Sequence, residues 1–145
     1  MNNIIIRDFT PNDIPAIVDI WYEVSLDAHK FIAKEYWANN RDIMEKKYIP
    51  QSETYIAIHN EQIVGFVSLI DNYLAAIFVR IEYQGKGIGS DLLNHVKAIK
   101  KQLSLKVYSK NTKSKAFYQS KGFNIIEETV DPDTEENEVL MLWKR

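Results

Sequence analysis

Phe78-Val79-Arg80-Ile81-Glu82-Tyr83-Gln84-Gly85-Lys86-Gly87-Ile88-Gly89-Ser90-Asp91-Leu92-Leu93 is the stretch that decides how this chain folds. Its front end closes an apolar run, Tyr73 to Val79, which reads as a strand covered on both faces. Its back end opens an amphipathic helix predicted over Gly87 to Gln102, with Ile88, Leu92, Leu93, Val96 and Ile99 on the inner side. Between them lie Gly85, Gly87 and Gly89. Glycine tolerates positive φ and has no Cβ, so successive N–H groups can turn into one concavity. The helix N-terminus adds about half a positive charge there. Such a turn suits a phosphate or pyrophosphate.

Several ligands compete for that turn. A nucleotide-binding P-loop needs a lysine after its last glycine, but Gly89 is followed by Ser90-Asp91. A dinucleotide fingerprint needs G-x-G-x-x-G and an acid about twenty residues on. Here the spacing is G-x-G-x-G, and Lys106 stands near that position. Coenzyme A, with a pyrophosphate and a separate 3′-phosphate, is the third candidate. A turn that serves only tight helix–strand packing is the fourth.

Outward from the turn, the pattern alternates between periods. Ile4-Ile5-Ile6 reads as a strand, and Thr10-Pro11-Asn12-Asp13 as a capped helix start. Ile14, Ile17, Val18 and Trp21 then form a buried helical stripe. A second helix is expected from Phe31 to Tyr48, ended by Pro50. Thr54 to His59 and Ile63 to Leu69 are strands joined by a polar turn. After the glycine helix come a strand, Leu103 to Tyr108, and a short helix, Ser114 to Lys121, stopped by Gly122. Phe123 to Thr129 and Glu138 to Trp143 close as a hairpin. The result is a single α/β domain over residues 1–145, with a mixed β-sheet flanked by helices.

Composition sets limits. The 145 residues are 46% hydrophobic and 26% charged, with a net charge of -2 and no cysteine. No disulfide, thiolate nucleophile or Cys-type zinc site is available. The three histidines are too scattered for a metal, and none is expected. No signal peptide or membrane-spanning run is visible, so a cytoplasmic protein is expected. Eight lysines lie between Lys97 and Lys121, and acidic residues crowd from Glu127 to Glu138. These are two solvated faces, or a basic segment near an anionic ligand and an acidic loop that attracts a cationic amine. The lysines are not interleaved with stacking aromatics, so nucleic acid is not expected.

Two motifs, taken together, resemble the GCN5-related N-acetyltransferase (GNAT) family, and in particular its small bacterial single-domain members. Gln84-Gly85-Lys86-Gly87-Ile88-Gly89 is similar to the family's phosphate loop, with glutamine where arginine is commoner. Asn111-Thr112-Lys113-Ser114-Lys115-Ala116-Phe117-Tyr118-Gln119-Ser120-Lys121-Gly122-Phe123 resembles its later Asn/Phe-Tyr/Gly-Phe element. The resemblance implies a GNAT-like sheet whose central parallel strands splay apart. It implies acetyl-CoA as co-substrate and no metal. The cofactor would be held by Phe78 and Val79, by Gln84, Gly85, Lys86, Gly87, Ile88 and Gly89, and by Asn111 and Tyr118. A backbone N–H at a bulge after Phe78 would stabilise charge on the thioester carbonyl.

The implied activity is N-acetyltransfer by direct attack of a primary amine: a protein lysine, a protein N-terminus or a small-molecule amine. A catalytically silent acyl-CoA sensor is the alternative. Tyr118 is the expected acid for the leaving sulfur, or else a core-edge aromatic. A lysine-type amine, with pKa near 10.4, is neutral about once in 2,500 molecules at pH 7, roughly 4.6 kcal/mol uphill. A base or water chain is therefore wanted. His29 in the early His29-Lys30-Phe31-Ile32 segment is the first candidate, with Glu82 and Glu23 behind it. Phe31 and Tyr73 are expected to line the acceptor pocket, while Trp21, Tyr22, Tyr36 and Trp37 are expected in the core. The oligomeric state is left as monomer or homodimer.

Overall fold

The computed structural model describes residues 3–145. Seven strands form one sheet in the order β1-β2-β3-β4-β5-β7-β6. They are β1 (Ile5–Asp8), β2 (Glu53–His59), β3 (Gln62–Ile70), β4 (Tyr73–Val79), β5 (Gln102–Tyr108), β6 (Asn124–Val130) and β7 (Asn137–Lys144). The helices are α1 (Ile14–Ala28), α2 (Lys34–Ile43), the single turn α3 (Ile49–Gln51), α4 (Ile88–Ile99) and α5 (Thr112–Ser120). Every strand pair is antiparallel except β4–β5. None of the described helices is long and apolar enough to cross a membrane.

Local chemistry sets the element ends. Asp13 closes the turn before α1: its carboxylate accepts from the Thr10 N–H at 2.7 Å and from Arg7 at 2.9 Å. The β2–β3 turn places Asn60 and Glu61 at positive φ, the geometry of a two-residue hairpin. Gly122, at φ 92, turns the chain out of α5 toward β6.

Pro50 does not end the second helix. The backbone widens into a π-turn over Met44–Tyr48, and Pro50 sits inside α3. A proline has no N–H to offer and crowds the carbonyl four residues back, and a wider turn relieves both. The helix stops at Ser52, whose hydroxyl donates to the Ile49 carbonyl at 3.0 Å.

Two apolar clusters lie on opposite faces of the sheet. On one, Ile88, Leu92, Leu93 and Val96 of α4 pack with Val67, Leu69, Leu105 and Phe123. On the other, Ile17, Ile20, Trp21 and Val24 of α1 pack with Trp37, Ile56 and Phe66. Fully burying a side chain such as Phe66 contributes about 2–3 kcal/mol. Ile99 is not on the inner side of its helix; it is 52% exposed, at the last turn of α4.

β4 is not covered on both faces either. Leu74 and Val79 are buried, but Ala75 is exposed and Ala76, Ile77 and Phe78 are half-buried. The cause is the parallel pairing, which has one register pair, Tyr73↔Ser104, anchored by the Ser104 N–H on the Asn72 carbonyl at 3.0 Å. Beyond that point the strands splay, and the β5-facing edge of β4 has no ladder partner.

Candidate active site

The splay opens onto two cavities, one toward the glycine turn and one toward the first helices. The first has a volume of about 620 Å³, and its wall includes Val79, Gln84, Gly85, Gly87, Ile88 and Gly89. The second, about 330 Å³, is walled by Trp21, Ser25, His29 and Trp37 together with β3 and β4. Ile77, Phe78, Asn111, Ser114 and Tyr118 belong to both walls. A molecule in one cavity therefore meets a molecule in the other beside Tyr118.

The glycine turn has the form an anion needs. Gly85 has φ 78 and Gly87 φ 88, and no atom lies within 4 Å of where a Cβ would stand at either. Open space and left-handed backbone together mean that these glycines serve the path of the chain and not packing. Gly87 caps α4. Gly89 differs, because its φ is not positive, and a Cβ there would meet the Phe117 ring at an ordinary 3.7 Å. The Gln84 side chain donates to the Val79 carbonyl at 3.0 Å and lies 3.4 Å from the Lys113 ammonium, so it braces the turn against α5. Lys86 lies outside the cavity wall, over the Tyr83 ring at 5.7 Å. The cations on the wall are Lys110 and Lys113, two members of the basic segment that sequence reasoning did not single out.

Tyr118 is carried by α5, whose start is fixed by Asn111. The Asn111 Oδ1 accepts the Ser114 N–H at 3.1 Å. Tyr118 is 7% exposed and packs edge-on against Phe117 and Phe123. Burial, with a smaller contribution from the Tyr73 phenol, pushes its pKa well above the ordinary value near 10. The hydroxyl therefore keeps its proton at any working pH.

His29 stands across the junction, with Nε2 3.4 Å from the Asn111 Nδ2. It stacks on Trp37 and meets Phe31 and Tyr108 edge-on. Burial lowers its pKa to about 4, against a smaller upward pull from the Ser25 carbonyl. The imidazole is neutral at pH 7.

The other expected residues lie elsewhere. Phe31 lines neither cavity; it backs His29 and Tyr108 and carries Lys110 over its ring. Tyr73 lines neither and sits at the closed end of the splay. Glu82 is exposed on the turn before Tyr83, and Glu23 is exposed and paired with Arg80 at 3.6 Å. Neither touches a cavity wall. The bulge expected after Phe78 is also displaced. The ladder is regular from Ala76 to Val79, and the extra residue is Ala75.

Trp21 and Trp37, read from sequence as core, line the second cavity together with Ser25. Helical spacing marks a side chain as inward, and a cavity wall is inward too, so periodicity could not separate the two. Gly65 was missed for another reason. A Cβ on it would fall 2.9 Å from the Phe78 carbonyl, a β3–β4 approach that no spacing reveals. Among the described residues, no group of His, Asp and Glu could hold a metal ion.

Residues 50–125 match the family described as Acetyltransferase (GNAT) domain. Over 139 residues the chain is 30% identical to the peptidyl-lysine N-acetyltransferase YiaC of Escherichia coli strain K12, with 95% of each covered. The solution structure of apo YjaB from Escherichia coli superposes with a TM-score of 0.86 at 24% identity, covering 97% of each chain. The PaiA N-acetyltransferase of Thermoplasma acidophilum, crystallised with coenzyme A, superposes with a TM-score of 0.85 at 22% identity, covering 99% of each.

Proposed function

Because this chain belongs to the GNAT acetyltransferase family, we propose that it moves an acetyl group from acetyl-CoA to the side-chain amine of a peptidyl lysine. The family supplies the reaction class, and the name carried by YiaC supplies the acceptor. The observation that carries the reading is the meeting of two cavities at Tyr118 beside an unpaired strand edge.

The residues on the first cavity fit acetyl-CoA. Open space at Gly85 and Gly87 leaves the turn's amides free for a diphosphate, with Lys110 and Lys113 adding positive charge. The free edge of β4 offers backbone groups to the amides of the pantetheine arm, much as a missing strand would. When bound, acetyl-CoA supplies the activated acyl group. Tyr118, held protonated by burial, donates to the departing sulfur.

His29 lies on the wall of the second cavity as a neutral ring. As a base it would work against its pKa of about 4 and against the Asn111 amide at its Nε2. We therefore assign it to shaping the acceptor side of the wall, with the amine losing its proton to solvent before attack. The rate then rises with pH toward the amine's own pKa, with no inflection near 6.5.

Release of the CoA thiol from acetyl-CoA in the presence of a lysine peptide tests the reading. Acetylated peptide by mass and thiol in equal amounts are expected. Acetyl-CoA binding with no transfer to any peptide or small amine would defeat it.

A further inference from the structure

Tyr48 and Ile70 are large apolar side chains left 44% and 51% exposed, and both line the second cavity. Among the described residues, the other exposed large apolar side chains line neither cavity. Scattered singly, such side chains need no explanation. Two on the rim of one cavity mark a surface kept for a ligand.

Their places in the fold show how the cavity runs. Tyr48 closes the π-turn that Met44 opens, and Met44 lines the cavity too. Ile70 ends β3, at the hairpin into β4. From there the wall follows β4 through Ala75, Ala76 and Ile77 to Phe78, which it shares with the first cavity. Ala75 is exposed and Ala76 half-buried, and each brings only a methyl group. From Ala75 to Phe78 is roughly 10 Å of extended strand, the reach of an alkyl chain of about eight carbons. The passage meets Tyr118 at one end and ends at exposed Tyr48 and Ile70.

Its chemistry is apolar. Among the described residues the wall has no carboxylate, and its one lysine, Lys106, is 3.6 Å from Glu138. His29 is neutral at pH 7. A second charge on the substrate would lose water here and gain no partner. An acyl chain longer than acetyl would fill the space by which the amine reaches Tyr118. We propose that this passage takes the hydrocarbon body of a free alkylamine, with the amine at Tyr118 and the chain end between Tyr48 and Ile70. That is an activity beyond transfer to a peptidyl lysine, and it rests on the transferase reading for the chemistry at Tyr118.

The test compares straight-chain amines from ethylamine to octylamine at saturating acetyl-CoA. Each methylene that leaves water adds a near-constant increment, so kcat/KM should rise about threefold per added carbon. The diamine and the ω-amino acid of hexylamine's length should fall about tenfold or more below hexylamine. Ile70→Asn and Tyr48→Ala, both at exposed positions, should each lower the octylamine-to-ethylamine ratio about tenfold. A flat length series, or a ratio unchanged in both variants, overturns the passage. So does hexanoyl-CoA outperforming acetyl-CoA with ethylamine, which would put an acyl chain there instead. A second readout needs no turnover. The Ile70 δ1-methyl resonance, assigned by its loss in Ile70→Asn, should shift with octylamine and not with ethylamine. A methyl that ignores octylamine overturns the passage even in an active enzyme. A shifted methyl with no acetyl transfer to any amine counts against the transferase reading alone.

Discussion

Tyr73 and Ser104 form the one register pair between β4 and β5, and the site begins where that pairing stops. A parallel pair that continued to Val79 and Tyr108 would satisfy the edge of β4 and close both cavities. The bulge at Ala75 lies just past the last pair and turns β4 away from its neighbour. The splay is thus built by backbone irregularity, and its floor is lined by Phe78, Asn111 and Tyr118.

Tyr118→Phe removes a hydroxyl that burial keeps protonated. The turnover number should fall about 10- to 100-fold, at the low end for a general acid because a thiolate leaves without much help. Acetyl-CoA affinity, read by calorimetry, should change less than about threefold. Equal losses in both would give the ring a packing role only.

Gly87→Ala and Gly89→Ala should separate backbone need from packing. Gly87 is at φ 88, where an L side chain costs about 1–2 kcal/mol. That variant should melt several degrees lower and bind acetyl-CoA about tenfold more weakly. Gly89→Ala adds an ordinary contact with Phe117 and should fold with unchanged stability. The reverse order would contradict the geometry of the turn.

Gly65→Ala places a methyl group 2.9 Å from the Phe78 carbonyl, which must shift. Phe78 is in the wall between the cavities, so kcat/KM should drop by roughly tenfold in a protein that still folds. Full activity would show that the position of this strand edge does not matter.

His29 links stability to pH. Its pKa falls from the ordinary 6.5 to about 4, so between those values the unfolded chain binds a proton that the folded chain does not. Stability therefore rises with pH across this window and is lost as pH drops from 6.5 toward 4. The full difference is worth roughly 3 kcal/mol. His29→Gln, compared with wild type by urea midpoints at pH 7 and pH 4.5, should lose markedly less on acidification. Parallel losses would place the acid-sensitive group elsewhere.

The element order, the glycine turn and the Asn111–Phe123 segment were legible in the sequence, because each leaves a local signature: a change of period, a positive-φ glycine or a helix cap. Tyr118 and the glycine turn line the first cavity together. Phe31 and Tyr73 line neither cavity whereas Trp21 and Trp37 line one, since an inward aromatic can face core or cavity and only the tertiary arrangement decides. Pro50 misled through a π-turn that depends on how α2 packs. Ser25 gave no signal at all. It lies on the wall of the second cavity through the way α1 packs on the sheet, and that packing is not written in spacing.

On the proposed reading, the amides of the glycine turn and the free edge of β4 hold acetyl-CoA. A ¹H–¹⁵N NMR titration of the protein with acetyl-CoA reads both contacts residue by residue. The largest amide shifts should fall on Gly85, Gly87 and Gly89, on β4 from Ile77 to Val79, and on the start of α5. Saturating shifts confined to other surfaces, or none at millimolar ligand, would contradict the account.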